Sequence, residues 1–319
     1  MRRQRSWKYH AIAFIVGVGI LAALIHHAGL ERFVDIVLHA SPSWFAASLT
    51  AYGISWIFRT WRLERFTAHA GTKIKIRDLF KLYISGYALN AIFPAKLGDV
   101  ATVGYLRIRG ITIGRSAAII LQTRILDMVA LLFLSLAAVL VSTERISLGW
   151  IKGVIFACIL IITIPMGLTL LDRNKSLSAL IERFVDKHIL NTFCKTVGGK
   201  IKDAYDSYHA IVSERRLMTV SIVFSIMIWF FEGLTCYMIS RAVAAHIPLL
   251  SIILAVSTGN MGKIVPATPG AIGIYESMVA AVLVMFGVSF DLATVIAILD
   301  HATKKAFTLF FGIPATASL

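Results

Sequence analysis

Acidic side chains are scarce in this sequence. Seventeen Asp and Glu stand against 32 Lys and Arg, and charged residues of both signs make up only 15% of 319 positions. Soluble domains carry about 25%, so a water-soluble chain is excluded, and so is an acidic disordered one. Cysteine is scarcer still: Cys158, Cys194 and Cys236 form no CxxC pair, which excludes a disulfide framework and a zinc site. Catalytic signatures are missing as well. There is no H-E-x-x-H and no G-x-S-x-G elbow, and Gly259-Asn-Met-Gly262-Lys263 lacks the spacing of a phosphate-binding loop. The expectation is therefore no catalytic residue, no metal, no cofactor and no enzyme activity. The excess charge of +15 is not interleaved with aromatics in any polar segment, so nucleic acid is not the expected partner.

What the chain has is apolar length: 58% of its residues are hydrophobic and the mean hydropathy is +0.79. A crossing needs about 20 apolar residues. Six segments qualify: Ala11–Ile25, Trp44–Phe58, Ser116–Val141, Trp150–Leu171, Leu217–Val243 and Leu292–Ile313. The first follows a basic run like that of a signal peptide, but His26-His27 come next without an Ala-x-Ala site, and we read it as an uncleaved span. Two further apolar regions are broken. Leu79–Phe93 runs into Pro94-Ala-Lys-Leu-Gly98-Asp99, and Leu249–Val265 runs into Pro266-Ala-Thr-Pro-Gly270 before Ile272–Val288.

Charge asymmetry threads these segments. With the N-terminus inside, Arg59, Arg62, Arg65, Lys73, Lys75 and Arg77 fall in a cytoplasmic loop after the second span. A full crossing by Leu79–Phe93 would put Lys96, Arg107, Arg109 and Arg115 outside, whereas a re-entrant hairpin keeps them inside. Residues 172–216, where Leu, Ile, Phe and Val alternate with charged residues, then lie on the cytoplasmic face as an amphipathic connector. Both termini are expected in the cytoplasm, in a multi-pass protein of the cell membrane.

The two broken regions match each other. Asn90-Ala-Ile-Phe-Pro94-Ala-Lys-Leu-Gly98 aligns with Gly262-Lys-Ile-Val-Pro266-Ala-Thr-Pro-Gly270, and Gly110-Ile-Thr-Ile with Gly287-Val-Ser-Phe, each opening a long apolar helix. An odd number of crossings separates the two, which inverts one half relative to the other. The expected fold is an all-α polytopic membrane protein with six transmembrane helices and two re-entrant helical hairpins in an inverted repeat. It forms a single membrane domain over 1–319, with halves 44–141 and 217–313. Broken helices at mid-membrane aim free N–H or C=O groups at a ligand, and Thr268-Pro269 reads as the cap and first turn of a helix whose positive end faces an anion.

Charges inside the spans point the same way. Arg124 and Asp127 share one helix face, Asp300 and Lys304 another, and under the second alignment Arg124 falls on His301 and Asp127 on Lys304. A charge at the bilayer centre costs at least about 2.5–3.5 kcal/mol, so such groups face one another or a polar cavity. Glu232 and Glu276 are further acids in apolar surroundings; each is either a protonated structural carboxyl or part of an ion route.

Pro94-Ala-Lys-Leu-Gly98-Asp99, Arg124-Ile-Leu-Asp127 and Pro266-Ala-Thr-Pro-Gly270-Ala-Ile-Gly273-Ile-Tyr-Glu276 resemble the motifs of a known group. It is the flippase-like family typified by the transmembrane region of lysylphosphatidylglycerol synthase, the multiple peptide resistance factor. The resemblance implies movement of a polar-headed lipid between leaflets. Thr123 and His301 depart from its usual acid and Arg, and the aminoacyl-transferase domain of that group has no counterpart here, so synthesis of a lysyl-lipid is not implied. The leading expectation is a flippase or scramblase for a phosphate-bearing lipid, either a phospholipid or a polyprenyl-phosphate glycolipid. Lys96, Arg124, Lys263, Lys304 and the chain near Thr268 and Gly270 would attract the phosphate. Asp99, Asp127, Glu276, Asp300 and His301 would pair with these cations or contact the head group, and Glu232 would couple ions. Membrane lipids with anionic head groups are the expected partners, and a lipid-modifying enzyme is a possible one. A proton-coupled small-anion transporter and a non-transporting subunit that presents lipid to an enzyme are the alternatives.

Overall fold

The computed structural model describes the backbone of residues 2–93, 96–141, 192–263 and 268–319, and side chains within 14–93, 96–140, 198–263 and 268–319. All regular structure among the described residues is helical. In chain order the helices are α1 (Arg2–Ala28), α2 (Leu30–Leu38), α3 (Pro42–His69), α4 (Ile76–Ile92), α5 (Leu97–Ile108), α6 (Ile113–Val141), α7 (Thr192–Ser213), α8 (Arg215–Ala242), α9 (Leu249–Gly262), α10 (Ile274–Met285) and α11 (Phe290–Ala317), with a 3-10 turn at Pro269–Ala271 before α10. The expected span Trp150–Leu171 and the first part of the connector 172–216 lie outside the described residues; the rest of that connector is α7 and the first residues of α8.

Two of these helices are long and apolar enough to cross a membrane: Ile113–Leu140 within α6, and α8. A third candidate is bent, because Phe14–Ala28 and Leu30–Leu38 meet at 85° across Gly29, whose φ of 83° suits glycine. Helices α3 and α11 each have 28 residues, about 42 Å at 1.5 Å per residue, which exceeds a hydrocarbon core of about 30 Å. Composition sets them apart, since both carry several charged side chains mid-helix. Helix α3 also corrects the expected boundary. Pro42 opens it at a position where its missing N–H is no loss, and no proline or glycine interrupts it between Gly53 and Gly71, so it runs eleven residues past Phe58 to His69.

The order long, short, short, long occurs twice. Helices α3, α4, α5 and α6 have 28, 17, 12 and 29 residues, and α8, α9, α10 and α11 have 28, 14, 12 and 28. The packing is reciprocal: α3 lies along α8, α4 packs on α11, and α9 packs on α6. Each short pair closes through glycine. A Cβ at Gly98 would collide with the Gly86 carbonyl oxygen, and one at Gly259 would press on Tyr275 and Val279. Apolar packing surrounds the pairs, with Trp56 edge-on to Phe80, Tyr83 and Tyr87 on one side and Leu254, Val279, Leu283 and Ile296 packed together on the other.

Candidate functional site

Arg59 and Arg62, expected in a cytoplasmic loop, lie inside α3 and are 1% and 0% exposed. Arg59 donates to Glu232 Oε1 on α8 at 2.5 Å and to the Tyr87 hydroxyl at 3.1 Å. Its guanidinium lies 5.2 Å from the rings of Tyr87 and Trp229, within cation–π range. Arg62 donates to Asp127 Oδ1 at 2.7 Å and to Ser225 Oγ at 2.6 Å, and Trp229 Nε1 donates to the same carboxylate oxygen at 3.1 Å. Counting basic residues after an apolar run assigns both arginines to water. Their partners come from α6 and α8, far along the chain, so the run alone cannot reveal the pairing.

Arg124 sits on α6, but its principal partner is not Asp127. Its Nε donates to Asp99 Oδ2 at 3.1 Å and its Nη2 to Oδ1 at 2.5 Å, a bidentate fork onto α5, while Asp127 stands 3.7 Å away. The third amine reaches the Tyr87 hydroxyl at 2.8 Å. Asn90, in the last turn of α4, secures this corner by donating to Asp99 Oδ1 at 2.9 Å and accepting the Gly98 N–H at 2.8 Å. Lys96 precedes α5 in the left-handed region with φ 54°, a conformation uncommon for a residue with a Cβ.

On α11, Lys304 donates to Asp300 Oδ2 at 2.9 Å and reaches Glu232 Oε2 at 3.2 Å, so Glu232 bridges Lys304 and Arg59. Tyr275 donates to Asp300 at 2.5 Å. His301 Nδ1 lies 2.6 Å from Glu276 Oε1, and the other oxygen of Glu276 accepts the Gly273 N–H at 2.8 Å. Thr268 and Pro269 do stand at the cap and first position of a helical turn, but that turn is the short 3-10 one, and the Thr268 hydroxyl donates to the Ile272 carbonyl at 2.9 Å; α10 itself begins at Ile274 with Gly273 as its cap. Gly270, at φ 60°, sits in the separate 3-10 turn, where a Cβ would come within 3.0 Å of the Ala91 carbonyl and 3.2 Å of Lys305 Nζ.

These groups converge on one cavity of about 190 Å³. Among the candidates named from sequence, the cations Lys96, Arg124, Lys263 and Lys304 line it, as do Asp127 and Glu232. Thr268, Gly270 and His301 complete the wall. Asp99, Glu276 and Asp300 stand behind it, holding Arg124, His301 and Lys304. Sequence reasoning missed Arg59, Tyr87, Asn90 and Asn260 as lining residues, and Lys305, a charge within the last apolar run, lines the cavity too. Asn90 and Asn260 share one signal, since each is the third residue from the end of a short helix that stops at a break.

Charge in the cavity is unevenly matched. Arg59, Arg62, Arg124 and Lys304 each bond to a carboxylate. Lys96, Lys263 and Lys305 have no carboxylate within ion-pairing distance among the described residues. Lys263 lies over the Tyr275 ring, 3.8 Å from its centroid.

The profile of the lysylphosphatidylglycerol synthase TM region matches residues 10–312. A glycosyltransferase, AglD, of Haloferax volcanii is 23% identical over 94% of this chain, and the chain spans about half of that relative's length, 52%. A UPF0104 membrane protein of Pyrococcus horikoshii is 23% identical over 91% of both chains. Another UPF0104 membrane protein, of Methanothermobacter thermautotrophicus, is 23% identical over 88% of this chain and 86% of its own.

Proposed function

The chain belongs to the lysylphosphatidylglycerol synthase TM region family of membrane proteins, and from that premise we propose that it moves a phosphate-bearing lipid between leaflets as a flippase or scramblase. The observation that carries this reading is the surplus of three lysines, Lys96, Lys263 and Lys305, that line the cavity with no carboxylate partner among the described residues, while its other cations bond to carboxylates. Lys96 is exposed and Lys263 and Lys305 are half-buried, and an ammonium without a carboxylate at a cavity wall favours an anion as its partner. Taking a bare phosphate through hydrocarbon costs on the order of tens of kcal/mol by Born reasoning, and a groove lined by cations removes most of that barrier. The protein acts as a transporter and not as an enzyme on this reading.

The doubled helix order supports dividing the single membrane domain into halves 44–141 and 217–313 related as an inverted repeat, with the pairs α4–α5 and α9–α10 as re-entrant hairpins. Rocking of one half against the other would expose the head-group site to each leaflet in turn. Both termini are placed in the cytoplasm of a cell-membrane protein. The test is leaflet translocation of fluorescent phospholipids and polyprenyl-phosphate lipids in proteoliposomes. Translocation no faster than in protein-free vesicles, for every head group tried, removes this reading.

A second reading, presentation of a lipid to a membrane enzyme, draws on the Haloferax relative, which is named a glycosyltransferase and is about twice as long as its matched part. It predicts lipid binding without translocation.

A further inference from the structure

Among the described residues, His301 is the one histidine in the cavity wall, and it has a nitrogen left over. It is 3% exposed, its Nδ1 faces Glu276 Oε1 at 2.6 Å, and its Nε2 has no hydrogen-bond partner among the described residues. A carboxylate at Nδ1 fixes the tautomer: Nδ1 carries the proton, and Nε2 of the neutral ring is a bare acceptor. Lys263, Lys304 and Lys305 share that wall with it. The bare Nε2 can accept from an ammonium or from the O–H of a ligand that enters the cavity.

Charge balance narrows which ligand suits the site. Four cations meet four carboxylates, Asp99, Asp127, Glu232 and Asp300, and Glu276 faces the neutral ring. Lys96, Lys263 and Lys305 then leave the cluster with a net charge of +2. A phosphodiester brings a single negative charge and no proton. A phosphate monoester has three unsubstituted oxygens and titrates near pH 6: its dianion matches the charge of +2, and its hydrogen phosphate form gives up one of those charges for an O–H that Nε2 accepts. The cavity, about 190 Å³, has room for a terminal phosphate and its hydration, since liquid water takes about 30 Å³ per molecule.

We propose that this cavity recognises a terminal phosphate monoester, with the ammonium groups of Lys96, Lys263 and Lys305 donating to its free oxygens and His301 Nε2 accepting the O–H of its hydrogen phosphate form. The proposal deepens the lipid-phosphate reading and rests on it. It names the head group as the monophosphate of a long-chain alcohol or of a diacylglycerol, and not a phosphodiester lipid.

The experiment is calorimetric titration of the full chain in detergent micelles with four probes: farnesyl monophosphate, its methyl diester, its glucosyl diester and inorganic phosphate. We expect the monoester to bind at least tenfold more tightly than either diester. His301→Phe should reduce monoester affinity to the diester level while leaving the diesters unchanged, and Lys305→Gln should weaken the monoester more than the diesters. If His301→Phe does not fold, the comparison on the unmodified protein and Lys305→Gln still decide. Equal affinity for monoester and methyl diester, or tighter binding of the glucosyl diester, overturns the proposal and leaves lipid-phosphate binding standing. Binding of none of the farnesyl lipids overturns both. Inorganic phosphate binding as tightly as farnesyl monophosphate supports a terminal-phosphate site and assigns it to a small-anion transporter.

Discussion

Asp99 and Glu276 stand in the same relation to the helix that follows each of them: Asp99 binds Arg124 and Glu276 binds His301, both 25 residues further on. In each case the acid lies in the first turn of a short helix, α5 or α10, and the base lies about eleven residues into a long one. The two bases differ in kind. One is a permanent cation held by a fork, and the other is a group whose charge depends on what it meets.

Arg124→Lys should be poorly tolerated in function. Lysine keeps the charge but cannot hold both oxygens of Asp99 and the Tyr87 hydroxyl together. Lipid translocation in proteoliposomes should fall about tenfold or more while the protein still purifies folded; an unchanged rate would show that the fork is dispensable.

Removing Glu232 should be costly in stability. Glu232→Ala strands Arg59 and leaves Lys304 with Asp300 alone, and breaking a buried pair on one side costs about 3–5 kcal/mol. Thermal unfolding in micelles should shift down by many degrees. Arg59→Met combined with Glu232→Met should recover part of that loss, because the stranded guanidinium is gone.

Lys263→Gln separates binding from folding. A half-buried ammonium with no carboxylate partner opposes folding through its desolvation, so its removal should leave thermal stability unchanged or higher while translocation drops. A loss of stability of the size expected for Glu232→Ala would mean that Lys263 serves the fold and not the ligand.

Gly270→Ala tests the turn that joins the two halves of the cavity. The residue would have to hold φ near 60° and press its methyl on the Ala91 carbonyl and Lys305. The left-handed backbone alone costs about 1–2 kcal/mol. We expect weaker binding of the phosphate probe together with a modest fall in unfolding temperature.

Much of this site was legible in the residue pattern. The broken segments ending at Phe93 and Val265, and the charges on α6 and α11, can be read from apolar runs interrupted by Pro, Gly and ionisable groups. The arginines of α3 could not be read so directly, since a basic residue after fifteen apolar ones fits a loop as well as a helix. What distinguishes them is the absence of any helix breaker between Gly53 and Gly71, together with the placement of Ser48, Tyr52, Ser55, Arg59 and Arg62 on one helical stripe. Partner choice was not legible for Arg124 either. Helical spacing favours Asp127, and only the docking of α5 brings Asp99 close enough to form the fork.

The buried arginines of α3 also constrain how the chain is made. Arg59 is translated 173 residues before Glu232, and Arg62 precedes Asp127 by 65. At roughly 5–20 residues per second, Arg59 waits about 9–35 s for its carboxylate, with the lipid an unfavourable place to wait. We therefore expect the second half of α3 to reach its final position only after α8 has emerged. A chain cut before α8 should leave Arg59 within reach of aqueous reagents, and one cut after α8 should not.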